Sequence, residues 1–141
     1  MGLIQDADAV EIRMRLEEVV NPVTIVHFTQ ELSLELGAET LQLMKELAPL
    51  CDKLSLQVFN FQLDREMVAQ FGVDKVPATV IMNGKDYGIR FYGLPAGYEF
   101  STILDAIIAV SKGDSGLLPA SQVKLSQLSA PLHLEIFVTP T

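Results

Sequence analysis

The chain has 141 residues, 49% of them apolar, with 18 Asp and Glu against 10 Lys and Arg and a formal net charge of −8. That length supports one substantial core without demanding a second, and the acidic balance suits neither a phosphate backbone nor an anionic lipid surface, so no nucleic acid and no membrane partner is expected. A single cysteine, Cys51, excludes an internal disulfide, and two histidines far apart in sequence, His27 and His133, leave a zinc site short of ligands, so neither metal nor cofactor is expected.

The first twenty residues carry Asp6, Asp8, Glu11, Glu17 and Glu18, which is not the basic start and apolar centre of a signal peptide, and a cytoplasmic protein is expected. No apolar run approaches the ~18 to 20 residues of a membrane span. Residues 6–20 place Ala9, Ile12, Leu16, Val19 and Val20 on one helical face, and Asn21-Pro22 ends that helix. "VTIVHFT" (23–29) is a continuous apolar run of strand length, as expected for a strand covered on both faces. A long helix is predicted over 33–50, with Ser33 as N-cap and Leu36, Leu43, Leu47 and Leu50 inward. "KLSLQVFNF" (53–61) alternates as a second strand.

Asp64 is placed to cap a short helix with Met67, Val68 and Phe71 inward, and Gly72 to end it in a left-handed conformation. "ATVIM" (78–82) gives a third strand, and Asn83-Gly84 is a strong hairpin signal leading into "YGIRFYG" (87–93). Phe100, Ile103, Leu104 and Ile107 mark a further amphipathic helix stopped near Lys112-Gly113. The order α, β, α, β, α, β, β, α describes one α/β domain, residues 1–113, with a four-stranded mixed sheet ending in an antiparallel hairpin. Residues 114–141 differ: "GDSGLLPAS" is a linker, a short helix is predicted around 119–128, and "LHLEIFV" (132–138) alternates like a strand. Such a strand must pair with the domain's own sheet or with a second copy across a two-fold axis.

This order, with Val76-Pro77 opening the third strand, resembles the thioredoxin/glutaredoxin fold, a three-layer sandwich. "MGLIQDADA", "NPV", "CDKLS", "VPATVIMNGKDYGIRFYGLPAGYEF" and "IFVTPT" resemble the protein disulfide oxidoreductases built from two glutaredoxin-like units. More loosely, they resemble the N-terminal region of the flavoprotein subunit of alkyl hydroperoxide reductase. The resemblance implies a cis peptide before Pro77 and a partner-binding main chain at Val76, Pro77 and Ala78, where an extended peptide would pair as a strand. It also implies a Cys-x-x-Cys at the start of the long helix, where unsatisfied N–H groups and the helix dipole stabilise a thiolate. That position falls here on Leu34, Glu35, Leu36 and Gly37. Both sulfurs are absent, and Cys51 lies 14 residues beyond Gly37, roughly 21 Å along a continuous helix. In the two-unit family "FVTPT" runs directly into the second unit's Cys-x-x-Cys, so residues 116–141 correspond to the linker, helix and first strand of that unit.

Each conspicuous residue also has an ordinary structural reading. Cys51 reads as a half-buried structural thiol, His27 as a hydrogen-bonded core histidine, and His133 as an outward residue of an edge strand. Glu31, Glu35 and Glu39, at four-residue spacing near a helix start, read as a solvated face, or alternatively as the acidic rim of a docking cleft. Tyr87, Phe91, Tyr92 and Tyr98 read as hairpin and core aromatics. Two functions follow. One is a redox-inactive docking domain; the other is the N-terminal fragment of a disulfide oxidoreductase whose catalytic motif follows Thr141, with no enzymatic chemistry in this chain itself.

Overall fold

The computed structural model describes residues 2–30 and 35–139, apart from the side chains of residues 35 and 36. Helix α1 (Asp6–Leu16) leads into strand β1 (Val23–Thr29), followed by α2 (Glu35–Leu47) and strand β2 (Leu54–Asn60). Then come α3 (Arg65–Phe71), the hairpin β3 (Ala78–Met82) and β4 (Asp86–Tyr92), α4 (Tyr98–Lys112) and α5 (Pro119–Ser126). The sheet order is β2-β1-β3-β4. Strand β1 is parallel to β2 and antiparallel to β3, and β3 is antiparallel to β4.

Two cores sit on the two faces of this sheet. On one, Val23, Ile25 and Ile81 pack with Leu16, Met44, Leu47, Ile103 and Ile107 from α1, α2 and α4. On the other, Val26, Phe28, Ala78 and Val80 pack with Val68, Phe71 and Val73 around α3. The continuous apolar run of β1 is thereby explained: Val23, Ile25, Val26 and Phe28 are all at most 1% exposed, as a strand covered on both faces requires.

Several boundaries differ from the sequence expectation for local reasons. Helix α1 stops at Leu16, so Val20 falls beyond it and is exposed. There the Ser111 hydroxyl of α4 accepts from Val20 N–H (2.5 Å) and Asn21 N–H (3.1 Å), tying the turn down. Helix α2 gives way to a 3-10 turn at Ala48–Leu50, where Pro49 interrupts the α-helical ladder. The expected Ser33 cap lies outside the described residues, as does the side chain of Leu36. Asp64 precedes α3 but makes no side-chain cap; its carboxylate instead accepts from the Asn60 N–H (2.5 Å). Gly72 and Gly113 end α3 and α4 at φ 61° and 63°.

The tail departs most. Helix α5 forms, but residues 132–138 make no strand, and the sheet has four strands among the described residues. Leu132, Leu134, Ile136, Phe137 and Val138 are 65–89% exposed. A strand exists only where a second strand completes its ladder, and the chain's own sheet does not supply one here, so the expectation that the segment extends its own sheet is corrected.

Candidate functional site

The C-terminal end of β1, the N-terminal end of β3 and the C-terminal end of β4 come together in one row. Phe28 lies opposite Ala78, and Ala78 opposite Tyr92. The Val76–Pro77 peptide is cis. Gly93 N–H donates to the Pro77 carbonyl at 2.9 Å, and Ala78 is fully buried within the sheet. The Val76 side chain packs on the core around Phe28 and Phe71, and the residue is partly exposed. Neither its N–H nor its C=O has a main-chain partner among the described residues. Of the three expected partner-binding residues, Val76 therefore carries the open main chain, while Pro77 and Ala78 anchor it.

The rim beside this main chain is aromatic and cationic. Lys75 Nζ stands 4.6 Å from the centroid of the Tyr92 ring. Tyr87 (43% exposed) and the partly buried Phe91 and Tyr92 are hairpin aromatics of β4, whereas Tyr98 is 80% exposed at the start of α4 and departs from the hairpin-and-core reading. Of the Glu31, Glu35 and Glu39 series, Glu39 is exposed and the other two side chains lie outside the described ones.

One layer beneath lies His27, opposite Thr79 in the β1–β3 register. Its ring is fully buried, and its Nδ1 is 3.0 Å from Thr79 Oγ1. Nε2 is buried without a hydrogen-bond partner among the described residues. Burial disfavours the charged imidazolium and pulls the pKa down to about 4, so the ring is neutral at physiological pH. The sequence reading of a hydrogen-bonded core histidine thus holds for one nitrogen only.

The degenerate position, Leu34 to Gly37, straddles the start of α2. Leu34 lies outside the described residues; Glu35 begins the helix and Gly37 is buried. Cys51 follows the 3-10 turn at the other end of α2, partly exposed and beside Arg13, Glu17 and Lys53. It cannot stand in for a thiol at the helix start. His133 is exposed and bonds Glu135 (2.9 Å) without belonging to a strand. A concavity of about 640 Å³ lies elsewhere, between α1, the Leu94–Gly97 loop and α4; residues 76–78 do not line it. Among the described residues no cluster of three His, Cys, Asp or Glu could hold a metal, and no helix is long and apolar enough to cross a membrane.

No protein-family model matches the chain. A protein of Bacillus subtilis (strain 168) named NADH dehydrogenase is 31% identical over 107 residues, covering 73% of this chain and 18% of that protein. Among solved structures, a protein disulfide oxidoreductase from Aeropyrum pernix superposes with a TM-score of 0.79 at 29% identity, covering 89% of this chain and 55% of that one. The alkylhydroperoxide reductase AhpF of Enterococcus faecalis superposes at 0.78 with 22% identity, covering 88% and 60%. The chain thus spans 55% and 60% of these two structures and 18% of the Bacillus subtilis protein. With its four-stranded mixed sheet and flanking helices, the chain has a thioredoxin-like fold and is similar in structure and sequence to the protein disulfide oxidoreductase of Aeropyrum pernix.

Proposed function

We propose that the chain is a redox-inactive thioredoxin-like docking domain that receives an extended peptide by strand pairing at Val76. The observation that carries this reading is the main chain of Val76, partly exposed and without a backbone partner among the described residues, followed directly by a tied Pro77 and a buried Ala78. An extended segment laid there would satisfy the N–H and C=O of Val76, with main-chain hydrogen bonds giving affinity and neighbouring side chains selectivity. Tyr92 and Lys75 flank the position for contact with the incoming side chains. Thiol exchange needs an accessible, activated thiolate and a resolving thiol, and the helix start that would activate one carries Leu34-Glu35-Leu36-Gly37.

S-carboxymethylated insulin B chain, unfolded and without free thiols, is a suitable probe. Titrated into isotope-labelled protein, it is expected to shift the amide resonance of Val76 and its neighbours, with the effect lost in Val76→Pro, which removes the N–H. Shifts confined to other surfaces, or an unchanged response in Val76→Pro, contradict the docking reading. A second reading is favoured by coverage, since the chain spans 55% of the similar disulfide oxidoreductase structure. In it, the chain is the N-terminal unit of a longer enzyme. A Cys-x-x-Cys encoded directly after Thr141 would establish that reading, and a stop codon would remove it.

A further inference from the structure

The two edges of the sheet are guarded differently. At β4, Asp86 and Arg90 form an ion pair along the edge, and a bulge between Val80 and Met82 disturbs the β3–β4 register. Charges and bulges of this kind prevent an edge from recruiting another chain. Strand β2 has neither device: "LSLQVFN" contains no charge and no proline, and among the described residues its ladder pairs it with β1 alone. Val58 is 42% exposed on it.

The same chain carries a segment patterned to fit that edge. "PLHLEIF" (131–137) repeats "PVTIVHF" (22–28) at a constant offset, with Pro131, Leu132, Leu134 and Phe137 in the places of Pro22, Val23, Ile25 and Phe28. Strand β1 pairs with β2 in parallel, Val23 opposite Leu54 through Phe28 opposite Phe59. Moved to the other side of β2 in that register, the tail sets Leu132, Leu134 and Ile136 opposite Leu54, Leu56 and Val58. His133 and Glu135 then face Ser55 and Gln57, and Phe137 faces Phe59. Apolar meets apolar and polar meets polar at each of these positions, as pairing across two faces requires. The antiparallel alternative sets Phe137 against Lys53.

We infer that residues 132–138 of a second copy add to the free edge of β2 as a fifth strand, parallel and in the register that β1 uses, so that two copies exchange tails about a two-fold axis. Electrostatics permits this partner. Beyond Asp114 the chain carries only Lys124 and Glu135, so the net charge of −8 resides entirely in the preceding residues; a neutral tail meets an uncharged strand while the acidic bodies stay apart. Five large apolar side chains per copy are exposed on the tail, and exchanging them together with two edges covers an area on the scale of a standard interface, about 1,600 Å². The closed two-fold exchange leaves neither tail free to propagate.

The test uses the full chain. Light scattering across a concentration series is expected to give a mass approaching twice the 15.5 kDa of one chain. Ile136→Asp and Val58→Asp, both at exposed positions and checked for native circular dichroism, should each return the monomer. In a Cys51→Ser background, cysteines at Gln57 and Glu135 should be joined between chains by a short bismaleimide, whereas cysteines at Ser55 and Glu135 report the antiparallel register. A monomer throughout the series, a link formed within one chain, a dominant 55–135 link, or a dimer indifferent to Val58→Asp each overturns the inference.

Discussion

Strand β1 and the segment 132–138 are written in nearly the same pattern and meet opposite fates. Phe28 in β1 is fully buried, between β2 on one side and β3 on the other; Phe137, its counterpart in the tail, is 89% exposed. The difference shows that alternation and β-propensity specify a surface that fits a sheet, and the sheet itself must come from partners distant in sequence. Breaking this comparison should have its largest effect in β1. Phe28 contacts the rings of Phe59 and Phe71 at centroid distances of 5.6 and 5.8 Å, so Phe28→Ala should cost about 3 to 5 kcal/mol in urea unfolding. In dilute protein Phe137→Ala should stay within about 0.5 kcal/mol of the parent. Equal losses in the two variants would mean that the tail is packed on its own domain.

A second way to sharpen the comparison uses pH, because β1 holds a titratable ring that its surroundings keep neutral. His27 has a folded pKa of about 4, set by burial, against about 6.5 in an unfolded chain. Above the unfolded value both states carry a neutral ring and the full stability is present. As pH falls from 6.5 the unfolded state binds the proton first, so stability declines until about pH 4 and then levels, a loss on the order of 3 kcal/mol. Asp86 and Glu46 are both held below their ordinary values, by Arg90 and by the Ile4 N–H respectively, so their losses come lower on the pH scale. Urea midpoints between pH 7 and 4.5 should therefore fall steeply in the parent and weakly in His27→Leu. Parallel curves would assign the pH dependence to other groups.

The smallest expected effect is at the guarded edge. Arg90 donates to both Asp86 carboxylate oxygens (2.8 and 2.5 Å) and to the Phe71 carbonyl (2.9 Å). The Asp86 side chain is about one-third exposed, so solvent screens the pair, and Asp86→Asn should cost about 1 kcal/mol or less. A much larger loss would show that this edge depends on the ion pair for its register.

Most of the sheet was legible in sequence, because its signals are local or periodic. The apolar run of β1, the Asn83-Gly84 turn with Gly84 at φ 89°, and the terminating Gly72 and Gly113 each impose their conformation on a few neighbouring residues. What escaped depends on tertiary placement. Met44 is fully buried in α2, although the leucine spacing alone left it out of the inward face. Asp64 turned to the Asn60 N–H because the chain folds back there after β2. At the candidate site, Val76-Pro77 was legible through family resemblance, while the unpaired Nε2 of His27 was not, since its isolation depends on what packs against β1 from other parts of the chain.

The central claim is that the docking surface persists without thiol chemistry, and insulin reduction by dithiothreitol tests it most directly. Added to that reaction, the full chain should leave the onset and rate of insulin precipitation at the values of dithiothreitol alone, with Cys51→Ser indistinguishable from the parent. A rate clearly above that background, abolished by Cys51→Ser, would contradict the account by showing that the lone thiol at the far end of α2 is catalytically competent.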